Sequence, residues 1–284
     1  MELSLGKAIL LGVVQGLTEF LPVSSSGHLA VAEDLLGVRL PGLTFEVFVH
    51  LGTLAAVLAV YGTDLWAAAA GFLRSGGGLW GSPRGTDGSG WTAMDPATRL
   101  GWLVVVGTVP AAVAGLALED AIAAAFDAPT TVAVCWIVTG CLLWWAARRS
   151  PSGRPLERAT PLDALVVGLF QALALLPGIS RSGSTLVGGL LRGLQREEAA
   201  RLSFLLSVPA IAGAALLQMP EVAAVATVDG WAALLAGAVT AAVTGYAAIR
   251  WLLRWLVAGR LAWFAYYLWT VAILLLLYQG WRGA

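Results

Sequence analysis

Seven stretches of the chain, residues 47–63, 100–118, 128–147, 164–180, 202–220, 230–249 and 261–281, contain no Asp, Glu, Lys or Arg, and each is 17 to 21 residues long. About 20 apolar residues cross the hydrocarbon of a bilayer as a helix, so the pattern predicts an all-α, polytopic membrane protein. The runs are continuous rather than alternating, which excludes a transmembrane β-barrel. A composition of 58% apolar and 12% charged residues lies far from that of soluble domains and of disordered chains.

Basic residues then set a topology, because Lys and Arg collect in short cytoplasmic loops. Arg74, Arg84 and Arg99 fall in one interval, Arg148, Arg149, Arg154 and Arg158 in a second, Arg192, Arg196 and Arg201 in a third, and Arg250, Arg254 and Arg260 in a fourth. The intervals between them hold Glu119, Asp120 and Asp127, or Glu221 and Asp229, without one Lys or Arg. Full spans at roughly 43–62, 99–118, 129–148, 201–219, 230–250 and 261–280 satisfy the rule throughout. The Gly- and Ser-rich interval from Arg74 to Pro96 reads as a surface loop. Glu19 interrupts the first apolar stretch and no A-x-A site follows, so the first helix is expected to stay in the mature protein.

The sequence repeats itself across its middle. An offset of 156 matches Gly12, Gln15, Leu17, Ser24, Ser26 and Gly27 with Gly168, Gln171, Leu173, Ser180, Ser182 and Gly183, and later Phe48 with Phe204. Most of these residues are polar or Gly, the types that an apolar bias does not favour. Residues 1–150 and 151–284 therefore read as two repeats forming one functional unit. Three spans per half invert the second repeat relative to the first, an arrangement known from transporters.

The repeated segments themselves are too short to span. Leu5 to Leu21 is broken by Pro22 and the serine run, and Leu162 to Leu176 is broken by Pro177-Gly178. Short helices are expected to follow at about 27–37 and 184–195, giving two re-entrant hairpins at about 5–37 and 162–195 whose irregular tips end within the membrane. Such backbone survives there only when buried in protein or lining a wet cavity.

The first tip carries Gln15, Glu19, Ser24, Ser25, Ser26, Gly27 and His28. Gln15 and Glu19 stand one helical turn apart on one face, and an intramembrane carboxylate points to a metal ligand, a general base or an ion pair. The second tip carries Gly178, Ser180, Arg181, Ser182, Gly183, Ser184 and Thr185. A planar guanidinium among hydroxyls and small residues at the start of a helix suits a phosphate oxyanion; the alternative is a pair of Arg181 with Glu19 that ties the tips together. Cys135 and Cys141, six residues apart, face different directions and read as packing residues. With 17 basic and 17 acidic residues and no basic tract, nothing points to nucleic acid.

The run Leu17-Thr-Glu-Phe-Leu-Pro-Val-Ser-Ser-Ser-Gly-His28, with Gln15 before it, and the run Pro177-Gly-Ile-Ser-Arg-Ser-Gly-Ser-Thr185 resemble the two signatures of the undecaprenyl-diphosphatase family, the bacterial bacitracin-resistance phosphatases. The resemblance implies a multi-pass enzyme of the bacterial plasma membrane, open toward the extracytoplasmic face. Its activity would be removal of the terminal phosphate of a membrane-embedded C55 prenyl diphosphate, which recycles the carrier lipid of peptidoglycan synthesis. By motif matching it implies Glu19, His28, Arg181 and Ser25 as catalytic residues. Gln15, Ser24, Ser26, Gly27, Gly178, Ser180, Ser182, Gly183 and Thr185 are then expected to bind substrate. A divalent cation, Mg²⁺ or Ca²⁺, is expected on Glu19 and phosphate oxygens. Some members carry Glu where this chain has Gln15, so Gln15 is neither a base nor a charged ligand here. The competing expectation is a lipid-phosphate or ion transporter, built on the same broken helices without hydrolysis. Direct attack by water, a phosphoserine at Ser25 and formation of homo-oligomers all stay open at this level.

Overall fold

The first described helix, α1 (Leu5–Phe20), starts where the hydroxyl of Ser4 accepts from the backbone N–H of Lys7, satisfying one free N–H of the first turn. A computed structural model describes residues 3–38, 44–76, 90–118, 121–122, 129–148, 153–225 and 230–283. After α1 come α2 (Ser25–Leu36), α3 (Thr44–Arg74), α4 (Pro96–Ala117), α5 (Pro129–Ala147), α6 (Pro161–Leu173), α7 (Arg181–Leu191), α8 (Arg196–Val225), α9 (Trp231–Val257) and α10 (Ala262–Gly283). Among the described residues there is no β-strand. Six helices are long and apolar enough to cross a membrane, at Thr44–Arg74, Pro96–Ala117, Thr130–Ala147, Arg196–Gln218, Trp231–Val257 and Ala262–Trp281, and they coincide with the six expected spans. Arg84, Glu119, Asp120, Asp127, Arg149 and Asp229 lie outside the described residues.

Among the shorter helices, α1, α2, α6 and α7 have 16, 12, 13 and 11 residues, and the longest reaches roughly 24 Å at 1.5 Å per residue. Their bounds correct the expected ones. α2 begins at Ser25 rather than 27 and α7 at Arg181 rather than 184, because the hydroxyls of Ser24 and Ser180 accept from the N–H of Gly27 (3.5 Å) and Gly183 (3.0 Å) and start each helix at once. α6 ends at Leu173 rather than 176; Pro177 bars helical geometry from the residue before it, and the chain unwinds ahead of it.

Packing exchanges helices between the two halves of the chain. α1 lies along α9 and α6 along α4. A Cβ on Gly12 would fall 2.4 Å from the carbonyl oxygen of Gly237, and one on Gly168 would fall 2.4 Å from that of Gly107. Both crossings are therefore backbone against backbone, as small residues permit in membrane helices. Gly12 and Gly168 are also partners at the 156-residue offset. Phe20 and Phe204 meet edge to face at 5.6 Å inside the core, where both are buried.

The basic helix ends gather at one end of the bundle. Arg201 of α8 bonds Asp64 of α3 at 2.9 Å, Arg196 reaches the carbonyl of Ala147 at the end of α5, and Arg154 reaches that of Arg192 after α7. Asp163 anchors this end: fully buried, it receives Arg154 at 2.6 Å and Arg192 at 2.7 Å and closes a capping box with Thr160. Stripping a buried charge of its partner costs about 3 to 5 kcal/mol. Asp163→Ala removes the buried carboxylate that both guanidinium groups share together with the Thr160 capping box, so thermal unfolding in detergent is expected to show a loss of about 3 kcal/mol. An unchanged midpoint would show that the arginines rehydrate freely.

Candidate active site

α1 buries Gln15 and Glu19 on the face that carries Ala8, Leu11 and Gly12, and the chain then turns through Leu21 to Ser24. Ser24 takes φ 71° and ψ 98°, a region that L-residues rarely adopt and that persists only where surroundings enforce it. The turn delivers Ser25 back onto Glu19. Ser25 Oγ donates to Glu19 Oε2 at 2.6 Å, and Gln15 Nε2 donates to the same oxygen at 2.9 Å. Arg181, at the first position of α7, pairs through Nη2 with Glu19 Oε1. His50 on α3 completes the surround, its Nε2 standing 3.7 Å from Glu19 Oε2.

The two tips interlock beyond this pair. Ser182 Oγ donates to the carbonyl of Leu21 at 3.0 Å, so a hydroxyl of the second tip holds the first turn. Ser24 Oγ lies 3.4 Å from Ser26 Oγ, and Ser180 Oγ lies 3.2 Å from Ser182 Oγ. α5 supports both tips: Ser180 N donates to Thr139 Oγ1 at 3.3 Å, and Trp136 Nε1 lies against Gly27. Gly178 has φ +91°, and a Cβ there would sit 2.8 Å from Cβ of Cys135. Its glycine serves the turn and the close passage of α5.

Not every expected residue joins the cluster. Thr185 is fully buried one turn into α7, where its Oγ1 donates to the carbonyl of Arg181 at 2.8 Å and lies 2.5 Å from Ser203 Oγ of α8. His28, three residues after Ser25 on α2, makes its hydrogen bonds outside the Glu19 cluster. Its Nδ1 donates to the carbonyl of Ser24 at 2.8 Å, and its Nε2 accepts from the hydroxyl of Tyr267 at 2.8 Å. Carbonyl oxygen accepts only, so Nδ1 carries the proton of the neutral ring. The imidazole packs against the rings of Trp136 and Tyr267, at centroid distances of 4.7 and 5.6 Å.

His50, Trp136, Tyr267 and Thr139 were not legible as site residues in the sequence. His50 had a signal, as one of two histidines in the chain and an ionisable group within an apolar run. Dividing the chain at Asp, Glu, Lys and Arg passes over it. Aromatic residues within apolar spans look like any packing residue, so Trp136 and Tyr267 gave none.

Several polar atoms at the tips are buried without a hydrogen-bond partner among the described residues: Arg181 Nη1, Gln15 Oε1, Trp136 Nε1 and Ser184 Oγ. Buried polar groups are ordinarily satisfied, so such a cluster marks a place prepared for something polar. Arg181 Nη1 is the half of the guanidinium fork that Glu19 leaves open. Gln15 Oε1 offers a second hard oxygen beside the Glu19 carboxylate. No group of three or more His, Cys, Asp or Glu among the described residues could cage a metal ion. The donor set fits a hard cation shared with phosphate and water, the usual mode for Mg²⁺, and not a cage made of protein alone.

This chain is similar to proteins named undecaprenyl-diphosphatase in several organisms. That of Rubrobacter xylanophilus is 44% identical over 275 residues, covering 96% of this chain and 97% of that protein. Those of Desulfatibacillum aliphaticivorans, 42% identical over 267 residues (93% and 95%), and Alkaliphilus metalliredigens, 40% identical over 275 residues (96% and 98%), extend over similar lengths. The family described as bacitracin resistance protein BacA matches residues 8–274. With a match over nearly its whole length, the chain belongs to the bacitracin resistance protein BacA family.

Proposed function

We infer that this protein is an undecaprenyl-diphosphatase, a membrane hydrolase that releases the terminal phosphate of the C55 prenyl diphosphate and leaves undecaprenyl phosphate. The observation that carries the reading is the meeting of the two tips. A hydroxyl lies 2.6 Å from a buried carboxylate beside a guanidinium with a free, buried nitrogen. The first pair is nucleophile and base within proton-transfer distance, and the second is a phosphate clamp in a low-dielectric setting.

In the reaction we propose, Arg181 binds the terminal phosphate through Nη1, and the capped start of α7 presents backbone N–H groups to the same charge. Ser25 Oγ attacks the terminal phosphorus as its proton passes to Glu19, and the prenyl phosphate leaves. Water then hydrolyses the serine phosphate. Gln15 holds Glu19 in place from one turn earlier on α1. Glu19 and Gln15 Oε1 are the groups that would hold a divalent cation, which when bound offsets negative charge on the phosphates.

The placement of the site belongs to the same reading. Residues 1–150 and 151–284 act as inverted repeats whose short helix pairs, α1–α2 and α6–α7, are re-entrant hairpins meeting at mid-membrane. Three observations favour this: the matched Ser24 and Ser180 caps, the exchanged crossings at Gly12 and Gly168, and a separation of one 11-residue helix, roughly 16 Å, between Arg181 and the basic end at Arg192. That depth is about half of a 30 Å hydrocarbon core. With the basic end cytoplasmic, in a bacterial plasma membrane, the α2 side of the site opens outward.

The test is an assay on protein purified in detergent. Release of inorganic phosphate from a prenyl diphosphate with added Mg²⁺ or Ca²⁺ is expected. Absence of release together with lipid translocation in vesicles would establish the transporter instead.

A further inference from the structure

We propose that Tyr267 of α10 is a catalytic residue of this site, through which His28 exchanges its proton. The role rests on the phosphatase reading above and extends it to a helix from the opposite end of the chain. His28 has no free nitrogen. Nδ1 is committed to the carbonyl of Ser24 at 2.8 Å, and Nε2 to the hydroxyl of Tyr267 at 2.8 Å. Any proton that reaches the imidazole without breaking these bonds passes through Tyr267 Oη. The rings are stacked with only 11° between their planes and Trp136 lies 4.7 Å from the imidazole centroid, so aromatic packing adds to the two hydrogen bonds that hold the ring. Tyr267 is 44% exposed, and its hydroxyl oxygen keeps lone pairs with which to accept from a further partner.

The geometry sets the direction of the step. With Nδ1–H fixed on a carbonyl, neutral His28 accepts the Tyr267 proton at Nε2, and the lone pairs of Oη face outward to accept another. An attacking water gives its proton to Tyr267 Oη as the existing Tyr267 proton moves to His28 Nε2. The freed electron pair of the water oxygen forms the bond to phosphorus, and the P–O bond to Ser25 Oγ breaks with its pair as Oγ takes back the proton that Glu19 received in the first step. The tyrosine ends neutral, the imidazole ends as imidazolium, and one proton is later lost to solvent. Ser25 already has Glu19 as its base, so this relay serves the water that removes phosphate from the serine.

Tyr267→Phe removes the hydroxyl and keeps the stacked ring. Phosphate release is measured in detergent for the wild type, Tyr267→Phe, His28→Gln and the double variant. General-base assistance is worth about 10² to 10⁴, so Tyr267→Phe is expected to lower kcat about 10²-fold, with KM changed less than about twofold. The double variant is expected to be no slower than the slower single one, since the two groups act as a unit. In the wild type, a proton inventory of kcat in mixed H₂O and D₂O is expected to curve, because two protons move together; this arm needs no variant to fold. Full kcat in Tyr267→Phe, losses that multiply in the double variant, or a straight or flat inventory would each overturn the relay while the phosphatase stands. No phosphate release by the wild type would overturn the phosphatase and the relay together.

Discussion

Replacing Arg181 by Ala is expected to lower turnover by about 10² to 10³, the loss typical of removing one donor aimed at developing charge. Two effects have to be separated in that number. The guanidinium also neutralises Glu19, a side chain only 6% exposed, and a buried charge left alone destabilises by about 3 to 5 kcal/mol. Turnover must therefore be expressed per folded molecule, with the folded fraction taken from size-exclusion chromatography in detergent. Arg181→Lys separates the functions: an ammonium can pair with Glu19 but cannot use one nitrogen for the carboxylate and another for phosphate. The lysine variant is expected to recover stability and little activity. Near-normal turnover with lysine would show that local charge alone is needed and would remove the fork from the mechanism.

Glu19→Gln is expected to cost more, at least about 10³ in turnover, because the base for Ser25 is lost together with the acceptor that orders Arg181 and Gln15. Ser25→Ala should lose a similar factor, and the double variant Ser25→Ala, Glu19→Gln should lose no more than the worse single one, as parts of one unit do. Multiplying losses would mean that Glu19 acts on something other than Ser25. The metal titration reads a separate property. If Glu19 and Gln15 Oε1 hold the cation, Glu19→Gln flattens the dependence of activity on Mg²⁺. Gln15→Glu, which adds a carboxylate one turn away on the same face, lowers the half-saturating concentration. An unchanged titration in both variants would remove the cation from this pair and leave Glu19 as a base only.

What the sequence by itself determined was set by its local patterns. Six spans follow from uncharged runs whose length matches the bilayer, because the transfer of about 20 apolar residues into lipid is decided within the run. The broken helices follow from Pro22 and Pro177 and from the serines at 24 and 180, since proline and capping residues act on their own neighbours. Motif residues stood out because an intramembrane Glu or Arg needs a reason. Only the tertiary structure decided which of these residues meet. Glu19 and Arg181 are 162 positions apart, and Thr185, four residues after Arg181, turns instead toward Ser203 on α8. His50, Trp136 and Tyr267 reach the site from α3, α5 and α10. The reason is physical: an aromatic or a histidine within an apolar span satisfies the pattern equally well facing lipid, core or site. The direction it faces is fixed by which helices pack together, here through the backbone contacts of Gly12 with α9 and Gly168 with α4, and no local pattern contains that information.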